Sequence, residues 1–240
     1  ACASRITAFS FGGESPGTSY NNRIESIQFQ SEGNASDFAN LAVAGYNNAG
    51  FNSTTRGING GIYDGSEGNA IDYFTMATVG NATDFGNLTV SRYDTGAFSS
   101  SVRGIFAGGQ DPSLSNVIDY ITIASTGNAT DFGDTIAAIA KLGGLSSGVR
   151  GVVGGGITPS VVNTIQYVTI DSTGNMTDFG DLTSTLQEVE GASTPIRGCF
   201  MGGNPGYVNT IQYITIASTG NAADFGDMTE GSSGFAADSD

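Results

Sequence analysis

The stretch from Asn116 to Asp134 reads NVIDYITIASTGNATDFGD, and the chain writes it again and again with small changes. Asn163 begins NTIQYVTIDSTGNMTDFGD, Asn209 begins NTIQYITIASTGNAADFGD, and Asn69 begins NAIDYFTMATVGNATDFGN. A more divergent copy, NRIESIQFQSEGNASDFAN, begins at Asn22. The Asp of each Asp-Phe pair falls at Asp37, Asp84, Asp131, Asp178 and Asp224, so by subtraction the copies lie 47, 47, 47 and 46 residues apart. An upstream Arg-Gly pair keeps the step at Arg56, Arg103, Arg150 and Arg197. A fixed period of this length marks a propeller blade or a solenoid turn, a unit whose apolar faces are buried only by its neighbours.

Each copy divides into four short apolar segments separated by turn residues. In the third copy these are Ala97–Ser101, Gly104–Gly109, Val117–Ala124 and a segment around Thr130–Thr135. All are of strand length, and none carries an apolar 3.6-residue period. The third segment is apolar on nearly both faces, as suits a strand sandwiched between sheets. Four strands per copy is blade arithmetic. The expectation is an all-β, five-bladed β-propeller with four antiparallel strands per blade. Residues 1–240 then form one domain, with blades near 1–44, 45–93, 94–140, 141–187 and 188–229, and 230–240 as a tail or closing strand. Arg103-Gly104 reads as the turn between strands one and two, and Gly127-Asn128 as the turn between three and four.

A double glycine follows the second strand at Gly12-Gly13, Gly60-Gly61, Gly108-Gly109, Gly155-Gly156 and Gly202-Gly203. A tyrosine stands in the next strand at Tyr73, Tyr120, Tyr167 and Tyr213, with Ser26 in the first copy. This pattern resembles kelch repeats over essentially the whole chain. The fourth-strand Trp of that family is absent, and Phe38, Phe85, Phe132, Phe179 and Phe225 take its place. The resemblance implies a propeller but no particular function, because kelch propellers serve many roles. The repeated wording from Tyr120 to Asp134 is also similar to kelch-like repeats in structural proteins of phages and other viruses of aquatic microbes. That likeness implies a virion surface or extracellular location, on a tail, fibre or capsid.

Composition removes several function classes. There are 23 acidic and 8 basic residues, a net charge of −15, which repels nucleic acid and anionic lipid. No stretch approaches the ~20 apolar residues of a membrane span. Neither nucleic-acid binding nor membrane insertion is expected. The chain has no His, and so no imidazole base, triad or histidine metal ligand. Its two Cys are too few for a zinc site, and no GxxxxGK[ST] phosphate loop occurs. Asp131-Phe132-Gly133 matches the kinase magnesium triplet in letters only. The pairs Asp131 with Asp134 and Asp178 with Asp181 could touch Ca²⁺, although such residues commonly bond their own turn. No cofactor and no metal are expected. Sequons at Asn34, Asn81, Asn87, Asn128 and Asn175 are mostly by-products of the repeated turn.

Alternating strands send alternate loops to opposite ends of a ring. The one–two and three–four turns are nearly invariant. The two–three and four–one loops vary, and they carry the candidate ligand-binding residues Tyr20, Tyr46, Asn47, Tyr63, Asp64, Tyr93, Asp94, Asp111, Asn204 and Tyr207. Tyrosine rings stack on sugar or protein surfaces, while amides and carboxylates bond hydroxyls. The first expectation is a non-catalytic attachment or structural module of a virion, part of an oligomeric assembly. Its partners would be other virion proteins or a host-surface glycan or protein. The second is a lectin-like carbohydrate-binding propeller. The third is a propeller glycoside hydrolase using two of Asp94, Asp111, Glu188 and Glu190.

Cys2 in blade one and Cys199 in blade five become neighbours if the ring closes. They then either bridge the seam as a disulfide or stay buried as thiols. Gly234-Phe235-Ala236-Ala237 resembles one more inner strand. It either replaces or flanks the N-terminal strand of a closed five-blade ring, which is the expectation, or is the stub of a longer protein.

Overall fold

The computed structural model describes residues 1–15, 19–65 and 68–237, so the tips of two variable loops and the last three tail residues lie outside the described residues. Every regular element among those described is a strand. Blade three pairs Gly96–Ser99, Arg103–Ala107, Val117–Thr122 and Thr130–Asp134 in that order, each antiparallel to the next. The other blades repeat this order. Blade one runs from Cys2–Ala3 to Ser36–Asn40, blade two from Ala49–Asn52 to Thr83–Asn87, blade four from Gly143–Ser146 to Thr177–Asp181 and blade five from Glu190–Ser193 to Ala223–Asp227. The chain is a five-bladed β-propeller, as the 47-residue period implies.

Two local readings change. Arg103 is the first residue of strand two, not part of the turn. The turn before it is held by Ser100, whose Oγ accepts the N–H groups of Val102 at 3.3 Å and Arg103 at 3.0 Å. In blade two the glycine pair is displaced by one residue. Gly61, at φ 63°, takes the place of Gly108, at φ 64°, and the buried Ile62 takes that of Gly109.

The sheets stack face to face, and apolar clusters fill the spaces between them. Phe9, Ile24, Phe74 and Met76 join blades one and two. Ile58, Phe85, Ile121 and Ile123 join two and three; Ile105, Phe132, Val168 and Ile170 join three and four. Val152, Phe179, Ile214 and Ile216 join four and five.

The Asp-Phe-Gly triplet is part of this packing. Ile118 pairs with Gly133 and Asp119 with Asp131, which leaves Phe132 as the extra residue of a β-bulge. The bulge turns Phe132 into the space between blades. A Cβ on Gly133 would stand 2.5 Å from the carbonyl oxygen of Gly174 in the next blade, so only glycine fits there.

Polar links repeat at each junction. In blades two to five the Asn of the Gly-Asn turn reaches back to the previous blade: Asn128 Oδ1 accepts Asn87 N–H at 3.1 Å, and Asn175 Oδ1 accepts Asp134 N–H at 3.0 Å. Around the axis, Ser193 Oγ donates to Ser146 O at 2.7 Å, Ser146 Oγ to Ser99 O at 2.6 Å and Ser99 Oγ to Asn52 O at 3.0 Å. Asn52 Nδ2 completes the series by donating to Ala3 O at 2.8 Å.

The expected closure of blade five on blade one does not occur. A closed five-blade ring needs five inter-blade cores, and the described residues form four. Phe225 is 55% exposed where its counterpart Phe132 is 3% exposed. On the far face of blade one, Ile27 is 47% and Phe29 57% exposed. The tail lies beside blade five, where Gly203 N–H donates to Ser232 O at 2.8 Å. Cys2–Ala3 keeps its place as the inner strand of blade one, paired with Thr7–Phe11, so the tail does not replace it. The suggested disulfide is also corrected: Cys2 and Cys199 are not bridged. Cys2 is buried with its sulfur against Gly57 of blade two, on the side away from blade five. Cys199 lies on blade five itself, at the strand-two position where Ile58, Ile105 and Val152 are buried against the following blade.

Candidate functional site

The variable loops are tied together in pairs. Each four–one loop meets the two–three loop of the following blade through a single antiparallel bridge: Tyr46 with Tyr63, Tyr93 with Gln110, Ala140 with Ile157 and Gln187 with Asn204. Tyr46 and Tyr63 exchange both backbone hydrogen bonds, at 3.1 and 3.0 Å. The residue after the first member of each pair is left-handed without being glycine: Asn47 at φ 55°, Asp94 at 57°, Lys141 at 60° and Glu188 at 55°. That conformation costs energy unless the surroundings fix it. Here the last three donate their N–H to the carbonyl one blade back: Asp94 to Asn47 at 3.1 Å, Lys141 to Asp94 at 2.9 Å and Glu188 to Lys141 at 3.0 Å. One backbone frame thus carries different side chains at each junction.

At the first two junctions those side chains are aromatic. Tyr20, from the small hairpin of blade one, lies 5.3 Å from Tyr46 and 6.3 Å from Tyr63 between ring centres. Tyr46 lies 5.4 Å from Tyr63, and Tyr63 4.9 Å from Tyr93. The four rings are half-buried and meet edge to face or tilted, the arrangement aromatic quadrupoles prefer. Burial, then the neighbouring Tyr20 and Glu14, holds the Tyr46 phenol above its ordinary value. It stays a hydrogen-bond donor at neutral pH. Asp64 directly follows Tyr63 in the chain and is half-buried.

The remaining predicted residues separate from this quartet. Asn47 and Asp94 stand on the left-handed ladder. Asp94 Oδ2 accepts Gln110 Nε2 at 2.7 Å; burial raises its carboxyl against the pull of Lys141. Asp111 keeps Oδ1 buried without a hydrogen-bond partner among the described residues. Asn204, on blade five, donates to Glu188 Oε2 at 2.8 Å and to Ser233 Oγ of the tail at 2.8 Å. Lys141 Nζ lies 2.6 Å from Glu188 Oε1. Burial works to raise Glu188, but the bonds from Lys141 and Asn204 prevail and hold it below its ordinary value. Tyr207 is 65% exposed, and its N–H donates to Asn204 Oδ1 at 3.4 Å.

Two features escaped the sequence reading. Arg92 is wholly buried between blades two and three, 3.0 Å from the equally buried Asp119. Asp119 also accepts Thr89 N–H at 2.9 Å and Thr89 Oγ1 at 2.6 Å. The signal was present, since Arg92 occupies a column that holds Gly45, Ile139 and Leu186 in other copies. The second is a central cavity of about 810 Å³ at the end that carries the invariant turns. Ser4, Ser53, Ser100, Ser147 and Thr194 line it, and Arg5 is the one charged residue of its lining among the described residues. Among the described residues no three His, Cys, Asp or Glu side chains converge as a metal site requires. No protein-family model matches the chain and no curated protein matches it, so the kelch-like pattern stands on the residues quoted for it.

Proposed function

We propose that the protein is a non-catalytic attachment and display module of a virion surface, holding its partner through the tyrosine quartet on the variable loop end. The quartet of Tyr20, Tyr46, Tyr63 and Tyr93 carries this reading. Four half-buried rings on loops latched by backbone bonds form a pre-organised surface, and little freedom is lost when a partner binds. The chemistry favours a glycan as the contacted group. Ring faces cover the apolar faces of sugars, and phenols and a carboxylate bond their hydroxyls. A lectin-like propeller is the second reading supported by the same patch. For the hydrolase reading, Glu188 is already engaged by Lys141 and Asn204 and Asp94 by Gln110, which leaves only Asp111 and Glu190 of its four carboxylates. The virion setting rests on the resemblance of the repeated wording alone.

The test is a glycan array probed with the chain in tetravalent form, beside a Tyr46→Ser/Tyr63→Ser variant. The reading expects selective retention that the variant loses by about tenfold or more, since avidity multiplies a per-site loss. Equal retention by the variant, or no glycan and no virion protein retained by the parent, overturns it. Detection of the chain in purified virions by mass spectrometry tests the setting separately.

A further inference from the structure

The seam between blades five and one is a slot with two prepared walls. On blade five, Phe225 stands in the position that is buried at Phe85, Phe132 and Phe179. Gly226 faces open space, where Gly86, Gly133 and Gly180 each meet the backbone of a following blade. Arg197 lies over Tyr213 at 4.5 Å, as Arg56, Arg103 and Arg150 lie over their tyrosines. Those three also donate to a carbonyl one blade ahead, at Ile123, Ile170 and Ile216; Arg197 has no such acceptor among the described residues.

The blade-one wall is the matching half. Ile27 and Phe29 are exposed where Ile121 and Ile123 are buried. Ala3 stands where Asn52, Ser99 and Ser146 each donate to the preceding inner strand, and it has no side-chain donor. The innermost place of the slot is already filled. Gly234, at φ 62°, donates its N–H to Glu188 O at 3.5 Å and so adds a further rung to the ladder of Asn47, Asp94, Lys141 and Glu188. Gly202 meets Phe235 and Ser232 as Gly108 meets Leu142 and Ile139.

We propose that this slot takes a sixth four-stranded blade of the same repeat, whose inner strand residues 231–237 begin. A blade of this repeat presents the apolar third strand that Phe225 lacks and the bulged phenylalanine that Ile27 and Phe29 lack. A second copy of the chain fits less well, because its own four attached blades must occupy the same side of the ring.

The test appends a copy of residues 148–190 after Asp240, completing one further blade. Cys199 reports on the slot, since its counterparts Ile58, Ile105 and Val152 are wholly buried. The inference expects a monomer that melts at a higher temperature than the parent and alkylates Cys199 about tenfold more slowly or less, as a newly buried site does. It is overturned if Cys199 in the extended chain reacts as fast as in the parent. It is overturned also if the parent already protects Cys199, whether as a monomer closed on itself or as a dimer. Should the extended chain fail to fold, Phe225→Asp in the parent decides. An open slot leaves melting nearly unchanged, whereas a drop matching that of Phe132→Asp means the seam is already packed.

Discussion

The guanidinium carbon of Arg103 lies 4.4 Å from the centre of the Tyr120 ring, and the same group donates from Nη1 to Ile170 O of the next blade at 2.9 Å. One side chain therefore covers its own blade and fastens the following one. Arg103→Ala removes a cation–π contact and a charge-assisted bond, a loss of about 2 kcal/mol. Arg197→Ala, which removes only ring contacts, costs under about 1 kcal/mol. Urea unfolding of the two variants beside the parent gives the comparison.

The bulge glycines separate backbone strain from inter-blade contact. Gly133, at φ 147°, and Gly226, at φ 144°, share one conformation, yet only Gly133 has a neighbour within reach of a Cβ. Gly133→Ala should lower the melting temperature clearly more than Gly226→Ala. Equal losses would mean that the conformation alone requires glycine.

The ion pair of Arg92 and Asp119 is worth little as a pair and much as a constraint. Asp119→Ala leaves a buried guanidinium unpaired, at a cost of about 3–5 kcal/mol. The chain itself suggests the repair. At the next junction Ile139 and Gln166 occupy these two places, and Gln166 Oε1 accepts Ile136 N–H at 2.7 Å. Arg92→Ile with Asp119→Gln should restore most of the stability lost in Asp119→Ala, measured by urea midpoint.

Glu190 makes stability depend on pH. Burial pushes its carboxyl to about 7, against the Ala1 ammonium and the Ala237 N–H. The folded state keeps this proton up to that pH, whereas the unfolded chain releases it near the ordinary value of about 4.3. Folding is therefore unpenalised at low pH and loses stability as pH rises between those values. Glu190→Gln should match the parent near about pH 4 and exceed it near about pH 8, read by thermal melts.

Much of the fold was legible because the repeat exposes it. Residues 47 apart share an environment, so five poor witnesses become one good one. The repeated Asp-Phe-Gly places Phe85, Phe132 and Phe179 in strand four, and they lie buried there. The open seam was not legible, because Phe225 and Phe132 are the same letter and differ only in what stands opposite. The Gly60-Gly61 register failed for a related reason: Ile62 fills a place where the letters suggested glycine. In the site, the tyrosines could be assigned to one end of the ring, but not brought together. Their meeting depends on the Tyr46–Tyr63 bridge, which joins loops of different blades.

Ring-selective NMR tests directly whether the quartet is the contacting surface. The chain has nine tyrosines and no tryptophan, so labelled tyrosine rings report on each of the four rings and on five controls. During titration with a retained glycan or virion protein, the signals of Tyr20, Tyr46, Tyr63 and Tyr93 should move while those of Tyr73, Tyr120, Tyr167 and Tyr213 stay in place. A partner that binds while the quartet signals stay still contradicts the account and points to the serine-lined cavity at the other end.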